Sequence, residues 1–467
     1  MYDIILHDHL CRVKPWRPEL APLLTYNKRE FDNWENTYDI IPTKLYTVEK
    51  GVGVFPIGLW AKVKKALKAE KIKYKIMDLR GHVSKPIKYR LERIEELREG
   101  QARVLAAIMA NERGVIECAT GWGKTFLIRQ LCRALPPQER ILIITPGRDD
   151  ARALLERVSE GEAAHTVGLV GAGSAQIDAR IVVSTARSVT KLELHKFTYV
   201  MVDEAHQCGD NLISRYLVEV GESRMFGFTA SPNMRSDGAD MEMEALLGPV
   251  IARIDYKEAV KAGVVTPVTV HMYPVDGVPC DRKTPVGRKR ACYWRNKRRN
   301  DTIAAVVESL GDEQILVMVD TIEHGLRLRK LLPDFTFIYR SPSNSDWEKY
   351  RRGGLVGPKE QPIKRKEQDE ARSKFKEGKL RKVICTTIWK QAVDFPDLKW
   401  LVRADGGASG IENIQKPGRL SRIAEGKDQA IMIDFLDEFD PWAKRRAQTR
   451  IKWYKQMKWK IKYKEIK

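Results

Sequence analysis

The sequence predicts an α/β protein: two tandem parallel-sheet domains, a small N-terminal α/β accessory domain before them and a basic C-terminal tail after them. Three observations carry this. Between 98 and 232, and again between 315 and 435, short apolar runs alternate with helical patterns, the order of parallel strands joined by crossover helices. Each apolar run of the first stretch ends in a polar cluster, as strands do whose carboxyl ends bind ligands. One of them, Gly114-Val115-Ile116-Glu117-Cys118, feeds a glycine loop and then a Lys-Thr pair that opens a helix, the order of a phosphate loop. The expected domains are 1–93, 94–255, 256–441 and 442–467.

Bulk numbers bound the function. The 467 residues are enough for two or three domains, and 31% of them are charged. The net charge of +21 favours a polyanionic partner, with nucleic acid ahead of an anionic membrane surface. No stretch approaches the roughly 18 consecutive apolar residues of a membrane helix. His7, Asp8, His9 and Arg12 break up the N-terminus, which does not read as a signal peptide. Seven scattered cysteines without a C-x-x-C imply reduced thiols in a cytosolic setting and argue against a zinc site. No metal cluster and no membrane partner are expected.

In the first domain, 4–6 and 44–48 read as strands, 59–67 as an amphipathic helix and 73–77 as a strand. Lys14, Trp16, Arg17, Tyr26, Lys28, Arg29 and Trp34 interleave basic with aromatic residues. They fit either a small aromatic core under a solvated basic face or a nucleic-acid module that pairs phosphates and stacks bases.

The motor-like stretch follows. A helix is expected over 103–111, then the loop Ala119-Thr120-Gly121-Trp122-Gly123-Lys124-Thr125. Glycine at 121 and 123 lets backbone N–H groups crowd around phosphate oxygens, and the helix that follows points its positive end at them. Lys124 suits the β/γ-phosphates and the Thr125 hydroxyl suits Mg²⁺. Strands over 141–144, 181–183, 199–202 and 225–228 deliver Thr145-Pro146-Gly147-Arg148, Ser184-Thr185-Ala186-Arg187, Asp203-Glu204-Ala205-His206 and Thr229-Ala230-Ser231-Pro232, with a helix over 150–158. Asp203 fits the Mg²⁺ partner of Thr125, and Glu204 the group that polarises the attacking water.

A break is expected near Gly248-Pro249. The basic run 284–300, with Tyr293 and Trp294, fits a solvated face or a phosphate-tracking surface. The second α/β domain has strands over 315–319, 335–339, 382–385, 400–402 and 430–435 and helices over 322–332 and 367–376. Its 341–366 connection reads as a mobile polar loop. It lacks a phosphate loop but holds Gln415-x-x-Gly418-Arg419-x-x-Arg422, whose two arginines share a helix face and suit a γ-phosphate across a cleft. From Trp442 on, eleven Lys/Arg face one Glu. A helix is expected near 450–454 and disorder over the last ten residues.

These motifs, in this order over about 330 residues, resemble the superfamily 2 helicases of the DEAH-box type. Leu97-Arg98-Glu99-Gly100-Gln101 resembles the adenine-sensing Q-type motif, 119–125 motif I, 145–148 motif Ia, 203–206 motif II and 229–231 motif III. Thr386-Thr387 through Asp394 resembles motif V, and 415–422 motif VI. Cys118, in place of the first glycine of motif I, and Ala392, in place of a motif V glycine, depart from the pattern.

The resemblance implies two RecA-like domains closing on ATP and Mg²⁺. Arg98, Gln101 and the loop residues Thr120, Gly121, Trp122, Gly123, Lys124 and Thr125 would bind the nucleotide from one side, and Asp394 and Gln415 from the other. Lys124, Asp203, Glu204, Arg419 and Arg422 would be catalytic. Arg148, Thr185, Arg187 and Thr386 would contact the tracking strand. His206, Thr229 and Ser231 would couple hydrolysis to movement. The layout is also similar to phage-encoded UvsW-type helicases, which implies an ATP-dependent, monomeric DNA helicase of the host cytoplasm that branch-migrates forks and Holliday junctions in recombination and repair. The alternatives are a double-strand DNA translocase without strand separation and an RNA helicase.

Overall fold

The computed structural model describes the chain outside 33–36, 82–84, 119–120, 164, 207–222, 231–239, 390–394, 396, 409–419, 421–426 and 466–467. It divides into two compact units, Met1–Asp255 and Tyr256–Lys467.

The first unit begins with a five-stranded sheet in the order Thr47–Glu49, Val52–Pro56, Leu10–Lys14, Tyr2–Leu6, Tyr74–Asp78. Only its last pair is parallel. Tyr2–Leu6 alternates buried with more exposed residues, as a strand with one covered face does. That face packs under the helix Trp60–Ala69 through Val63 and Leu67. The expected 44–48 strand divides: Thr37–Lys44 pairs with Thr25–Asp32 in a separate two-stranded ribbon, and Thr47–Glu49 joins the sheet. Trp16 stacks on Tyr46 at 4.8 Å and covers Gly53, so for this tryptophan the aromatic-core reading prevails.

The core of this small sheet is continuous with the next layer. Met241 and Ala245 of the helix Asp240–Leu247 belong to it. A Cβ on Gly58 would stand 2.2 Å from the Glu244 carbonyl oxygen, so glycine is required where the two layers meet. Arg113 spans the junction, donating to the Leu246 carbonyl at 3.0 Å and to the Asp8 carbonyl at 2.6 Å.

The second layer is an eight-stranded sheet in the order Ser174–Ala175, Val167–Gly171, Ile181–Thr185, Ile141–Thr145, Tyr199–Asp203, Arg224–Thr229, Arg113–Cys118, Val250–Ile254. Every pair is parallel except the short antiparallel edge. Ile141–Thr145, Ile181–Thr185 and Arg224–Thr229 are buried throughout, which is why they read as unbroken apolar runs. The chain turns at Gly248, then returns to add Val250–Ile254 beside the phosphate-loop strand.

The second unit is a seven-stranded, wholly parallel sheet: Thr336–Ile338, Lys382–Cys385, Ile315–Met318, Trp400–Arg403, Ala430–Leu436, Val268–Pro274, Lys460–Tyr463. Two expectations are corrected here, for 341–366 and for the C-terminal end. The 341–366 loop contains the helix Asn344–Arg352, started by Ser343, whose hydroxyl accepts from the Asp346 N–H, and pinned by Trp347 stacked on Tyr339 at 5.8 Å. In the 284–300 run, Cys292, Tyr293 and Trp294 are core residues and Arg299 is wholly buried, while Arg290, Arg295, Lys297 and Arg298 stay exposed, which both expected readings allow. The tail is folded: Asp440 caps the helix Pro441–Gln456, and Lys460–Tyr463 becomes an edge strand whose alternating lysines face outward.

Candidate functional site: a phosphate loop facing an acidic pair

The strand Arg113–Cys118 delivers the glycine loop to the start of the helix Lys124–Ala134. Gly121 and Gly123 have φ of 86° and 106°, values open to glycine and strained for other residues. Gln101 is 3% exposed and packs behind this loop, where a Cβ on Gly123 would meet its Nε2 at 3.0 Å. Its Oε1 accepts the Arg98 N–H at 3.2 Å, closing the first turn of the helix Glu99–Met109. Cys118 is buried beneath the loop, and burial pushes its thiol up to about 12, so it serves as packing. The Trp122 indole is also buried.

Parallel pairing brings the ends of Tyr199–Asp203 and Arg224–Thr229 beside this strand. The Lys124 ammonium lies 2.7 Å from Glu204 Oε1 and 3.7 Å from Asp203 Oδ1. Burial alone would lower its pKa, but the two carboxylates prevail and hold it above the ordinary lysine value. Asp203 is pushed up to about 6, by burial first and by Glu204 as well, against the pull of Lys124.

Glu204 has φ 53°, a left-handed conformation costly for a residue with a Cβ. Its N–H donates to Asp203 Oδ1 at 3.1 Å, and its Oε2 lies 3.4 Å from His206 Nδ1. His206, 2% exposed, has the same nitrogen 3.1 Å from Thr229 Oγ1. A continuous polar chain thus runs from Lys124 through Glu204 and His206 to Thr229. Four of the expected residues meet in it, and Asp203 flanks it.

Such an arrangement can bind a polyphosphate: a left-handed glycine cradle, a helix N-terminus and one ammonium on one side, two carboxylates on the other. Thr125 and Asp203 supply the hard oxygen donors Mg²⁺ prefers. Among the described residues no group of three or more His, Cys, Asp or Glu could hold a metal ion, and Mg²⁺ held largely by substrate phosphates requires none.

Known proteins resemble this chain over the same span. The family described as "Type III restriction enzyme, res subunit" matches residues 89–234, the span that carries the loop, the acidic pair and Thr229. "Putative helicase 22" of Sulfolobus islandicus filamentous virus is 26% identical over 267 residues, covering 53% of this chain and 44% of the viral protein. The "DNA 3'-5' translocase XPB2" of Sulfurisphaera tokodaii is 22% identical over 369 residues, covering 73% and 81%. In sequence and in fold the chain thus resembles superfamily 2 helicases.

Among solved structures, a fragment described as a "putative HsdR subunit of a type I restriction enzyme" from Vibrio vulnificus YJ016 aligns with this helicase fold at a TM-score of 0.56 and 18% identity. The alignment covers 94% of this chain and 77% of the fragment. S. cerevisiae Dbp5 bound to RNA and ADP BeF3 aligns at 0.54 and 16%, covering 86% and 93%. A restriction subunit and an RNA-bound protein thus share the fold nearly equally, so the fold leaves the polymer undecided. T4 UvsW aligns over 100% of this chain at 16% identity, but with a TM-score of only 0.42. The chain spans less than half of the viral relative's length.

The remaining expected residues are placed as follows. Thr125 is the second residue of the helix Lys124–Ala134. Arg148 and Arg187 are exposed just past the ends of neighbouring strands. Thr185 is buried, and its hydroxyl donates to Ser188 Oγ at 2.9 Å. In the second unit, Thr386 is buried after Lys382–Cys385, its N–H donating to the Ile338 carbonyl. Thr120, Ser231, Ala392, Asp394, Gln415, Arg419 and Arg422 lie outside the described residues. Sequence reasoning missed Ser188 and Arg113. Ser188, three residues after Thr185, was findable as a local hydroxyl pair. Arg113 carried no motif to mark it.

Proposed function

We propose that this helicase-fold protein is an ATP-dependent DNA helicase or translocase that acts on branched DNA, and that residues 1–93 help it choose such substrates. The proposed division is the one expected from the sequence: accessory domain 1–93, ATP-binding domain 94–255, second motor domain 256–441 and basic end 442–467. The observation that supports it most is the Lys124–Glu204–His206–Thr229 chain. It ties the phosphate end of an ATP site to the strand end that opens motif III. The net charge of +21 and the XPB2 relative favour DNA as the track.

In this reading Gly121, Gly123 and the helix N-terminus would hold the phosphates, and Thr125 and Asp203 would hold Mg²⁺. When bound, Mg²⁺ would neutralise phosphate charge. Glu204 accepts the proton of the attacking water. Its Oε1 is ion-paired with Lys124, and phosphate that takes over the ammonium releases that oxygen for base work. His206 reports the change to Thr229 by a shift of hydrogen bonds. By the same resemblance Arg419 and Arg422 would serve the γ-phosphate, and Asp394, Gln415, Gln101 and Arg98 would serve the nucleotide. Arg148, Thr185, Arg187 and Thr386 line the strand track.

The match to a restriction-enzyme family favours a second reading, a double-strand translocase that does not separate strands. One experiment decides: ATPase stimulation and strand separation with single-strand DNA, blunt duplex, fork, four-way junction and RNA duplex. The proposal expects the fork and the junction to give the largest stimulation, with separation. Stimulation by blunt duplex without separation supports the second reading, and activity on the RNA duplex alone would exclude both.

A further inference from the structure

The C-terminal helix Pro441–Gln456 and the edge strand Lys460–Tyr463 carry a charge that their surroundings do not balance. From Trp442 to Lys464 the chain holds ten Lys/Arg and no Asp or Glu. One side of the helix is anchored inward. Arg450 pairs with Asp434 and Asp437, and the Tyr454 hydroxyl donates to Asp434 Oδ2 at 2.6 Å. Buried Trp459 stacks on Tyr454 at 5.8 Å and so ties the strand to the helix. On the other side Lys444, Arg445, Lys452 and Lys455 are exposed, within an arc of about 100° at roughly 100° per residue. Along the strand Lys460, Lys462 and Lys464 are exposed, spaced by two residues and therefore on one side, roughly 7 Å apart. The Lys464 N–H continues the ladder by donating to the Met272 carbonyl at 2.9 Å. Lys444 pairs with Glu438 at 3.4 Å, but among the described residues Arg445, Lys452, Lys455, Lys460, Lys462 and Lys464 have no carboxylate partner. Burial first, then Lys464 and Lys462, lowers His271, which faces Lys462 across the strand pair, to about 4.

Two ordinary explanations cover part of this. Lysines on an edge strand deter pairing with another chain, which accounts for Lys460 and Lys462 but not for the row on the helix. A solvated surface helix mixes signs, as Arg365–Lys376 does with Glu367, Asp369 and Glu370 among its basic residues; Pro441–Gln456 does not. We propose that the two rows, Lys444 to Lys455 on the helix and Lys460 to Lys464 on the strand, form a second DNA surface that grips the phosphate backbone of a duplex. This rests on DNA as the partner and adds a surface to the proposed track. It is separate from Thr386: Lys460–Tyr463 lies five strands from Lys382–Cys385 in the sheet, about 24 Å at roughly 4.8 Å per strand. The size fits. The helix row spans about 16 Å, and over that length a duplex presents about ten phosphate charges, enough to meet both rows. The chemistry favours a duplex over a single strand, because single-strand sites add projecting aromatic rings on which bases stack. Here Tyr454 and Trp459 are buried, Trp442 packs on Tyr293 at 5.7 Å, Trp453 is half-buried, and only Tyr463 is exposed.

The test uses the full chain and blunt duplex DNA, with binding followed by fluorescence anisotropy between about 50 and 200 mM salt. One variant combines Lys455→Gln, Lys460→Gln and Lys462→Gln, and a second places arginine at the same three positions. A control combines Lys374→Gln, Lys376→Gln and Lys379→Gln, exposed lysines of the same unit that remove the same charge. Thermal melting, and kcat for ATP at saturating single-strand DNA, are measured for each. The proposal expects the first variant to bind duplex about tenfold or more weakly at the lower salt, with melting like wild type and kcat within about twofold. Its slope of log K against log salt should fall by about two to three, since each phosphate contact contributes about 0.9. The arginine variant and the control should stay within about twofold of wild-type affinity. Wild-type affinity and slope in the first variant, or an equal loss in the control, overturns the proposal, because the face is then idle or only the overall field acts. A loss in the arginine variant as large as in the first assigns a merely structural role and also overturns it. If the first variant keeps its duplex affinity but loses binding to vesicles containing phosphatidylserine, the face belongs to a membrane and the proposal is wrong. A wild-type chain that binds neither duplex nor single-strand DNA refutes the DNA reading itself, and this surface falls with it.

Discussion

Replacing Arg450 by methionine should destabilise the second unit severely. Arg450 is completely buried and donates to Asp434 Oδ2 at 2.8 Å, Asp437 Oδ2 at 3.2 Å and the Phe435 carbonyl at 2.8 Å. Both carboxylates are 0% exposed. Asp437 keeps Arg299 Nε at 2.7 Å, and Asp434 keeps the Tyr454 hydroxyl at 2.6 Å and the Phe435 N–H at 2.7 Å. The methionine variant therefore retains hydrogen bonds but buries one negative charge in excess. Breaking such a pair costs about 3–5 kcal/mol. For a unit of about 200 residues, each kcal/mol moves the melting temperature by roughly 2–4 °C, which gives a drop of about 6–20 °C. The informative comparison is Arg450→Met combined with Asp434→Asn. The double variant removes the excess charge and leaves Asp437 with Arg299, so it should recover at least half of the loss. Melting by circular dichroism at pH 7.5 reads both. If the single variant melts like wild type, or the second substitution deepens the loss, the charge argument is wrong.

Three further outcomes are expected. Glu204→Gln should abolish ATP turnover, a loss of at least about 10³-fold, while DNA affinity by fluorescence anisotropy stays within about threefold; wild-type turnover would remove Glu204 as the base. His206→Ala, which cuts the link between Glu204 and Thr229, should lower base pairs opened per ATP more than it lowers hydrolysis. An unchanged ratio in a combined unwinding and phosphate-release assay would show that coupling runs elsewhere. The second unit should also weaken in acid. Burial first, and then Lys464 and Lys462, lowers His271 to about 4, and burial first, then Arg299, lowers His324 to about 3. Both folded values lie below the unfolded value of about 6.5, so their stabilisation is complete above pH 6.5 and is lost as pH falls toward 4. At pH 5 the loss is about 2 kcal/mol for each histidine, and Tm measured from pH 8 to 5 in His324→Gln should fall less than in wild type.

The central strands of both sheets were legible because burial on two faces leaves an unbroken apolar run, as in Ile141–Thr145. Val167–Gly171 was not. It is wholly buried, but Gly168 must be glycine to let the Gln176 carbonyl approach, with a Cβ there only 2.4 Å away, and that glycine spoils the pattern. Val250–Ile254 is hidden by a register shift between Val250 and Ala252 and by an exposed Arg253. In the site, the phosphate loop and acidic pair were readable from residue type and order. The left-handed Glu204 and its exchange with Lys124 were not, because backbone conformation at a single non-glycine residue leaves no trace in composition.

The tail, read as disordered only over its last ten residues, carries a lesson about charge. Counted along the sequence, its eleven Lys/Arg look like a solvated arm. In the fold Arg450 turns inward to Asp434 and Asp437, while Lys444, Arg445, Lys452, Lys455, Lys458, Lys460 and Lys462 stay exposed. The partners of the inward arginine lie 13 and 16 positions away, beyond any local pattern. In the core of the second unit, Arg299, Arg403 and Arg450 balance Asp405, Asp434 and Asp437, so this network contributes nothing to the net charge. The whole excess of +21 therefore lies outside it, much of it on the outer face of the C-terminal helix and its edge strand. A folded, rigid basic face loses less conformational entropy on meeting a polyanion than a disordered arm of the same composition would, so its affinity should follow salt through counterion release without a large folding signature.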